Sequence, residues 1–439
     1  MNRNLGAVDY LVKLRIIWIW AIVLLVVIQF SSLIEVTNNT YRKNDDAVFI
    51  LPSNPKISIS QTNNESGVSS SSTSLISTKA SFPFSACLII KDDNIILPEW
   101  LAYHYTVLPL RRLIVGVDPL SYTDPTSILH AFQDSTGMNI TIWKNDSFWK
   151  GKKEFRITEN TTYDELRIRK RNRQNKFYEA CLSQLRAEKQ TWTMMIDVDE
   201  YLAFNYLDEA EKEAVKKQQL NVSDTRIQLD NQSSSTTIAD VVSRWDIDQD
   251  LACVTFARYL VPSKEDDNNM TSSIFHHSDF NATLFHTLRY RRRVPLRSPQ
   301  PGKSIVDASR YDNNPIDNPH RIKSLCTGSN VWPNNNKMPF RVLHYVGSWE
   351  AFRSIGFDPR GRSYFDKRNN EKKLVEDNTM TTWLDKFALL VGSKEKAIEL
   401  TEAIRLREEA TSAMKFLEQT LLTQEHDWGK LNEKPPKWT

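Results

Sequence analysis

Near-continuous apolar runs of strand length constrain this chain more than any other feature. Ala86-Cys87-Leu88-Ile89-Ile90, Leu113-Ile114-Val115-Gly116-Val117 and Thr193-Met194-Met195-Ile196 lack the polar alternation of a half-exposed strand, so each is expected to be buried on both faces. Asn139-Ile140-Thr141-Ile142-Trp143 reads as a further strand, and Leu251 to Phe256 resumes the pattern later. Helices are expected between them. One starts at Pro98 and runs through Tyr105, where proline suits a first helical turn; a long charged one spans about Thr162 to Lys189. Strands alternating with helices imply an α/β fold around a mostly parallel, doubly wound sheet. After Trp383, Leu400 and Ile404, then Met414, Leu417 and Leu421, keep helical spacing, so residues 353–439 read as mainly helical.

The N-terminus sets the topology. Ile16 to Ile34 contains no charged residue, enough to cross a hydrocarbon core of ~30 Å as a helix. Arg3, Lys13 and Arg15 precede it and Glu35 follows, which keeps residues 1–15 cytosolic and sends the rest of the chain across the membrane. A cleaved signal peptide is the alternative, although its apolar core is normally shorter and ends in small residues. Residues 35–80, with Ser66–Thr78 reading SGVSSSSTSLIST, bury too little to fold and are expected to form a flexible stem. Residues 207–237, polar and rich in Lys, Gln, Asp and Ser, read as a surface insertion.

Composition excludes more than it identifies. At 439 residues, with a net charge of +3 and mean hydropathy of -0.48, neither a polytopic membrane protein nor a nucleic-acid partner is indicated. Nine Asn-x-Ser/Thr sequons agree with a lumenal domain. Cys87, Cys181, Cys253 and Cys326 are an even set that an oxidising lumen can pair, and equally fit buried free thiols.

The sharpest local feature is Asp197-Val198-Asp199-Glu200, at the end of the third apolar run. On an extended chain, acids one residue apart share a side, and at the C-terminal edge of a parallel sheet that side opens onto the ligand crevice. Carboxylate oxygens there suit Mg²⁺ or Mn²⁺, which in turn bind a diphosphate. The bland alternative is a pair of solvated acids in a turn.

Four stretches, ACLIIKDDNIILPEWLAYHY, the block from RQNKFYEACLSQL to WTMMIDVDEYL, GKSIV followed by His320, and VLHYVGSW, resemble the GT-A glycosyltransferases of family 92 and the neighbouring family-2-like group. The similarity covers about Phe82 to Phe352, and residues 81–352 are accordingly expected to form a GT-A-like catalytic domain. The resemblance implies that Asp197 and Asp199 reach a metal, with Asp197 also reaching the sugar nucleotide, and that His344 completes the metal shell. It places Asp118 at the uridine or ribose, and Lys303 and His320 at a phosphate or the acceptor. Arg173 or Gln174 is expected to project toward the diphosphate. Inversion implies a carboxylate base, for which Glu350 and Asp246 are the candidates, with Glu200 supporting the two aspartates.

Several residues have plainer readings. His104 is expected to be packed, and Glu99 to be a first-turn acid favoured by the helix dipole. The Arg167–Arg173 run reads mostly as a solvated helix face, and Arg291–Arg293 is ambiguous. The expected activity is metal-assisted transfer of a sugar from a UDP-sugar donor to a glycan acceptor, by a single-pass type II Golgi membrane protein. The short anchor and the lack of a C-terminal retention signal favour the Golgi over the endoplasmic reticulum. A non-catalytic glycan-binding protein of the same fold and a metal-dependent phosphoesterase are the rival readings.

Overall fold

The structure is a computed structural model that describes residues 84–119, 121–144, 163–207, 212–213, 237–238, 252–263, 280–295, 302–320, 322–326, 339–347, 361–370 and 373–412. In chain order its elements begin β1 (Phe84–Ile90), α1 (Leu97–Val107), β2 (Leu110–Val117), α2 (Thr126–Thr136), β3 (Asn139–Trp143), α3 (Tyr163–Ala187), β4 (Trp192–Met195) and β5 (Glu200–Phe204). There follow β6 (Cys253–Phe256), β7 (Arg258–Val261), α4 (His286–Arg289), β8 (Arg292–Arg293), β9 (Lys303–Asp307), β10 (Phe340–Tyr345) and α5 (Gly361–Asn369). Last come β11 (Val375–Glu376), α6 (Trp383–Val391) and α7 (Lys394–Ile398), which runs on through a π-helical turn at Glu399–Ala403.

The fold is mixed α/β around a parallel-rich sheet of order β3-β2-β1-β4-β9-β6. β3, β2, β1 and β4 run parallel; β9 is antiparallel to both of its neighbours. The unbroken apolar runs have the cause anticipated from the sequence. Alternate residues of β1 and β2 (Ala86, Leu88 and Ile90; Leu113 and Val115) enter one core, while Cys87 and Ile114 enter the other. On the first face lie α1, α2, α6 and α7; on the second lies α3, through Phe177, Tyr178, Cys181, Leu182 and Leu185. That spacing of three and four is one helical stripe, so most of α3's charge falls elsewhere on its surface.

Both possible disulfides form, settling what spacing left open. Cys87–Cys181 ties β1 to α3, and Cys253–Cys326 ties β6 to the loop after β9.

A second sheet, β5-β10-β7, stands beyond the end of β4. β5 is an edge strand, and α1 covers that edge with side chains. Trp100 Nε1 donates to Glu200 O at 3.1 Å and Tyr103 Oη to Leu202 O at 3.0 Å, while Leu202 N donates to His104 Nε2 at 3.3 Å. The second nitrogen of His104 lies 2.9 Å from Trp100 O, so this buried ring is fully used in packing. Glu99 does more than favour its own helix: its carboxylate accepts the His286 and Thr287 N–H groups, both at 2.8 Å, at the start of α4.

Among the described residues no helix is long and apolar enough to cross a membrane. The expected anchor (16–34), the stem (35–80), nearly all of the 207–237 insertion, and Met414, Leu417 and Leu421 lie outside the described residues.

Candidate functional site

β4 stops at Met195, one residue short of the run's apolar end, and β5 starts at Glu200. Between them the chain turns, with Glu200 N donating to Asp197 O at 3.0 Å. The two aspartates therefore sit in a tight turn joining the two sheets, rather than on an extended strand as the sequence reading assumed. Glu200 closes this turn from its side chain, accepting the Asp197 N–H on Oε2 at 3.1 Å. The turn lies at the C-terminal edge of the parallel strands, beside the point where strand order reverses between β1 and β4, where α/β sheets open a crevice.

Asp197, Asp199 and Glu200 each bring a carboxylate oxygen within 4.8 Å of the others, an arrangement able to hold a metal ion. Register delivers the fourth member. On β10, His344 pairs directly with Glu200 of β5, and Tyr345 N donates to Asp199 O at 2.9 Å. His344 Nε2 then lies 3.1 Å from Asp199 Oδ2. Asp199 Oδ1 is shielded from solvent and has no hydrogen-bond partner among the described residues. A hard, unpaired oxygen beside an imidazole fits a divalent transition ion such as Mn²⁺.

Asp197 is held differently. Gln174 Nε2 of α3 donates to its Oδ1 at 2.9 Å and Lys303 Nζ of β9 to its Oδ2 at 2.8 Å. Lys303 has no exposed side-chain surface and also meets Glu200 Oε2 at 3.0 Å. The ammonium that the sequence assigned to a phosphate or the acceptor thus faces Asp197 and Glu200 from within. Gly302 makes this possible, since a Cβ there would lie 1.8 Å from Phe256 O; only glycine lets β9 start so close to β6.

Electrostatics follow from these contacts. Desolvation opposes charge on Asp197, but Lys303 overcomes it and holds the carboxyl well below its ordinary range. Desolvation likewise opposes charge on Asp199, and His344 turns the balance so that its pKa is lowered. Burial pushes Lys303 down, but Asp197 and Glu200 outweigh it and leave the ammonium firmly protonated. His320 is lowered to about 3 by burial and then by the Lys303 charge. Its carbonyl accepts Ser304 Oγ at 2.8 Å, which keeps it beside β9.

Arg173 and Asp118 pair with each other at 3.0 Å, both buried. Arg293 and Arg291 are taken up by the segment around β11, with Arg293 Nε 2.9 Å from Asp377 Oδ2 and Arg291 Nη1 3.3 Å from Asn378 Oδ1. Glu350 and Asp246, the base candidates, lie outside the described residues.

Two site residues escaped sequence reasoning. Arg258 of β7 donates to Glu200 Oε1 at 3.0 Å; an arginine embedded in the apolar run from Leu251 to Val261 was the available signal. Arg368 of α5 places Nη2 3.2 Å from His344 Nε2 and 3.3 Å from Nδ1. It sits in a polar stretch with no local signal at all.

Compared with known proteins, the sequence matches no family model, and no curated protein matches it.

Proposed function

We propose that the protein is a metal-dependent GT-A glycosyltransferase that moves a sugar from a UDP-sugar to a glycan hydroxyl. The observation that carries this reading is the meeting of Asp199, in the turn before β5, with His344 of the paired strand β10 at 3.1 Å, with Asp199 Oδ1 left unpaired among the described residues. The motif-level resemblance to family 92, the acidic turn at the C-terminal edge of a parallel-rich sheet and the oxygen-rich donor set all support it. Two disulfides support a lumenal position, because such bonds persist in oxidising compartments; the expected anchor at 16–34 adds the Golgi membrane to this reading.

Asp199 and His344 would hold Mn²⁺ or Mg²⁺, with Asp197 beside them. The bound ion would supply Lewis-acid neutralisation of the leaving diphosphate. Gln174 and Lys303 fix the Asp197 carboxylate, and Glu200 fixes the turn that carries both aspartates. Such support matters because an acidic ligand displaced by an ångström loses much of its effect. The base that would deprotonate the acceptor is Glu350 or Asp246.

The test uses full-length protein in detergent with Mn²⁺ and a panel of UDP- and GDP-sugars over mixed glycan acceptors. Sugar transfer that needs Mn²⁺ and disappears in Asp199→Ala supports the reading. No turnover of any donor, with no metal-dependent UDP binding, sinks it. Glycan binding without metal-dependent UDP binding would favour the glycan-binding alternative.

A further inference from the structure

Of the nine Asn-x-Ser/Thr sequons in the chain, those at Asn139 and Asn281 fall among the described residues. The fold treats the two differently. Phe280 and Phe285 are both buried in the core, and the short stretch between them comes to the surface with Asn281 and Thr283 exposed. Asn281 Oδ1 accepts the Thr283 N–H at 3.2 Å and the Thr283 hydroxyl at 2.6 Å, which closes a turn at the start of a single 3-10 turn over Ala282–Leu284. The Asn281 N–H is taken by Glu402 Oε1 at 2.6 Å. The side chain thus bonds through Oδ1, and its Nδ2 donates to no acceptor among the described residues.

Asn139 is also exposed, but it opens β3, and its sequon is extended. Asn139 pairs with Arg112 of β2, and Thr141 with Ile114. Residues two apart along a strand lie about 6.6 Å from each other, so amide and hydroxyl stay apart. A sequon is defined by an amide and a hydroxyl two residues on, and an enzyme that reads both in one site needs the chain bent between them. At Asn281 the bend is made by the sequon's own side chains, a local bond that competes with extended structure without waiting for the rest of the fold. At Asn139 the β-branched Ile140, Thr141 and Ile142 favour the extended state.

We propose that Asn281 carries an N-linked oligosaccharide, and that its preformed turn makes it a better acceptor than Asn139. This rests on the lumenal placement within the glycosyl-transfer reading and takes nothing from the acidic turn. The donor is an oligosaccharide joined through its C1 to a lipid diphosphate. Nδ2 forms a bond to C1 as the C1–O bond to the diphosphate breaks. The lipid diphosphate leaves with the electron pair, and Nδ2 gives up one proton to a base of the transferring enzyme. The glycan stands at the surface where the segment before α4 meets the π-helical turn carrying Glu402.

The experiment uses full-length protein expressed in animal cells and treated with peptide N-glycosidase in ¹⁸O-water. Each glycosylated asparagine then becomes an ¹⁸O-labelled aspartate, read by tandem mass spectrometry. Label at Asn281, at higher occupancy than at Asn139, is expected, and Asn281→Gln should lose the mass of one glycan on a gel. If Asn281→Gln does not fold, Asn281→Asp carries the test, because its carboxylate still accepts from Thr283 and offers no amide. Label at other sequons but not at Asn281 overturns the proposal and leaves the transferase reading standing. Occupancy at Asn139 equal to or above that at Asn281 also overturns it. Label at none of the nine sequons overturns the proposal and the lumenal placement together.

Discussion

Asp118, at the end of β2, and Arg173, in the middle of α3, form a buried ion pair at 3.0 Å in which each side chain is only 5% exposed. The pair joins helix and sheet next to Gln174, the residue that holds Asp197. Removing one member of a buried pair strands the other charge, which typically costs 3–5 kcal/mol. Asp118→Leu should therefore lower unfolding free energy by about 3 kcal/mol in urea melts, whereas Asp118→Leu with Arg173→Met should recover most of it. A double variant as unstable as the single would show that the pair is not what the stability reports.

The Cys87–Cys181 bond closes a sequence separation of 94 residues between β1 and α3. Loop-closure entropy for a span of that size gives about 4.7 kcal/mol. Replacing both cysteines by alanine should lower the melting temperature markedly and make the remaining protein insensitive to reductant at that bridge. Mass spectrometry of alkylated, unreduced protein checks the pairing directly; any thiol labelled at Cys87 or Cys181 contradicts it.

His104 supplies a pH prediction. Burial lowers its pKa to about 3 from an ordinary 6.5, outweighing the hydrogen bond to the Trp100 carbonyl, which favours the charged ring. The unfolded chain takes up a proton below about 6.5 and the native ring does not until about 3. This contribution to stability is thus complete above pH 6.5 and is lost as pH falls towards 3. Relative to His104→Gln, the wild type should lose about 1.4 kcal/mol per pH unit between pH 6 and 4. Parallel stability curves for the two proteins would refute the assignment.

Gly302→Ala should be among the most damaging small substitutions in the chain. Its Cβ would meet the Phe256 carbonyl at 1.8 Å, so β9 must move away from β6 and carry Lys303 with it. Loss of several kcal/mol is expected, with a parallel loss of Mn²⁺-dependent UDP binding. A variant of wild-type stability and binding would mean that β9 starts further from β6 than described.

Much of the central sheet was legible because double burial writes itself as an unbroken apolar run. β1, β2 and β4 need no partner to be recognised; each needs only to be apolar on both sides. The acids at the end of β4 were legible for a related reason, since charge is tolerated only where a buried strand emerges. The turn geometry was not legible, because whether Asp197 and Asp199 extend or fold back depends on Glu200 closing the turn with its own side chain. Nor could local sequence show that Trp100, Tyr103 and His104 cover the edge of β5, an interaction across about a hundred residues.

The sequence by itself determined a parallel-rich α/β fold and the presence of paired acids where β4 ends, since hydrophobic patterning is a local property of the chain. Only the tertiary structure decided how those acids are partnered. Lys303 reads as a phosphate or acceptor contact in the chain, and the fold sets its ammonium against Asp197 and Glu200 because β9 inserts antiparallel between β4 and β6. His344 reaches Asp199 because β10 pairs with β5 in one register out of many, and Arg368 reaches His344 from α5 with no signal in its neighbours. Charge compensation is a property of distances between remote residues, and a chain acquires those distances only by folding.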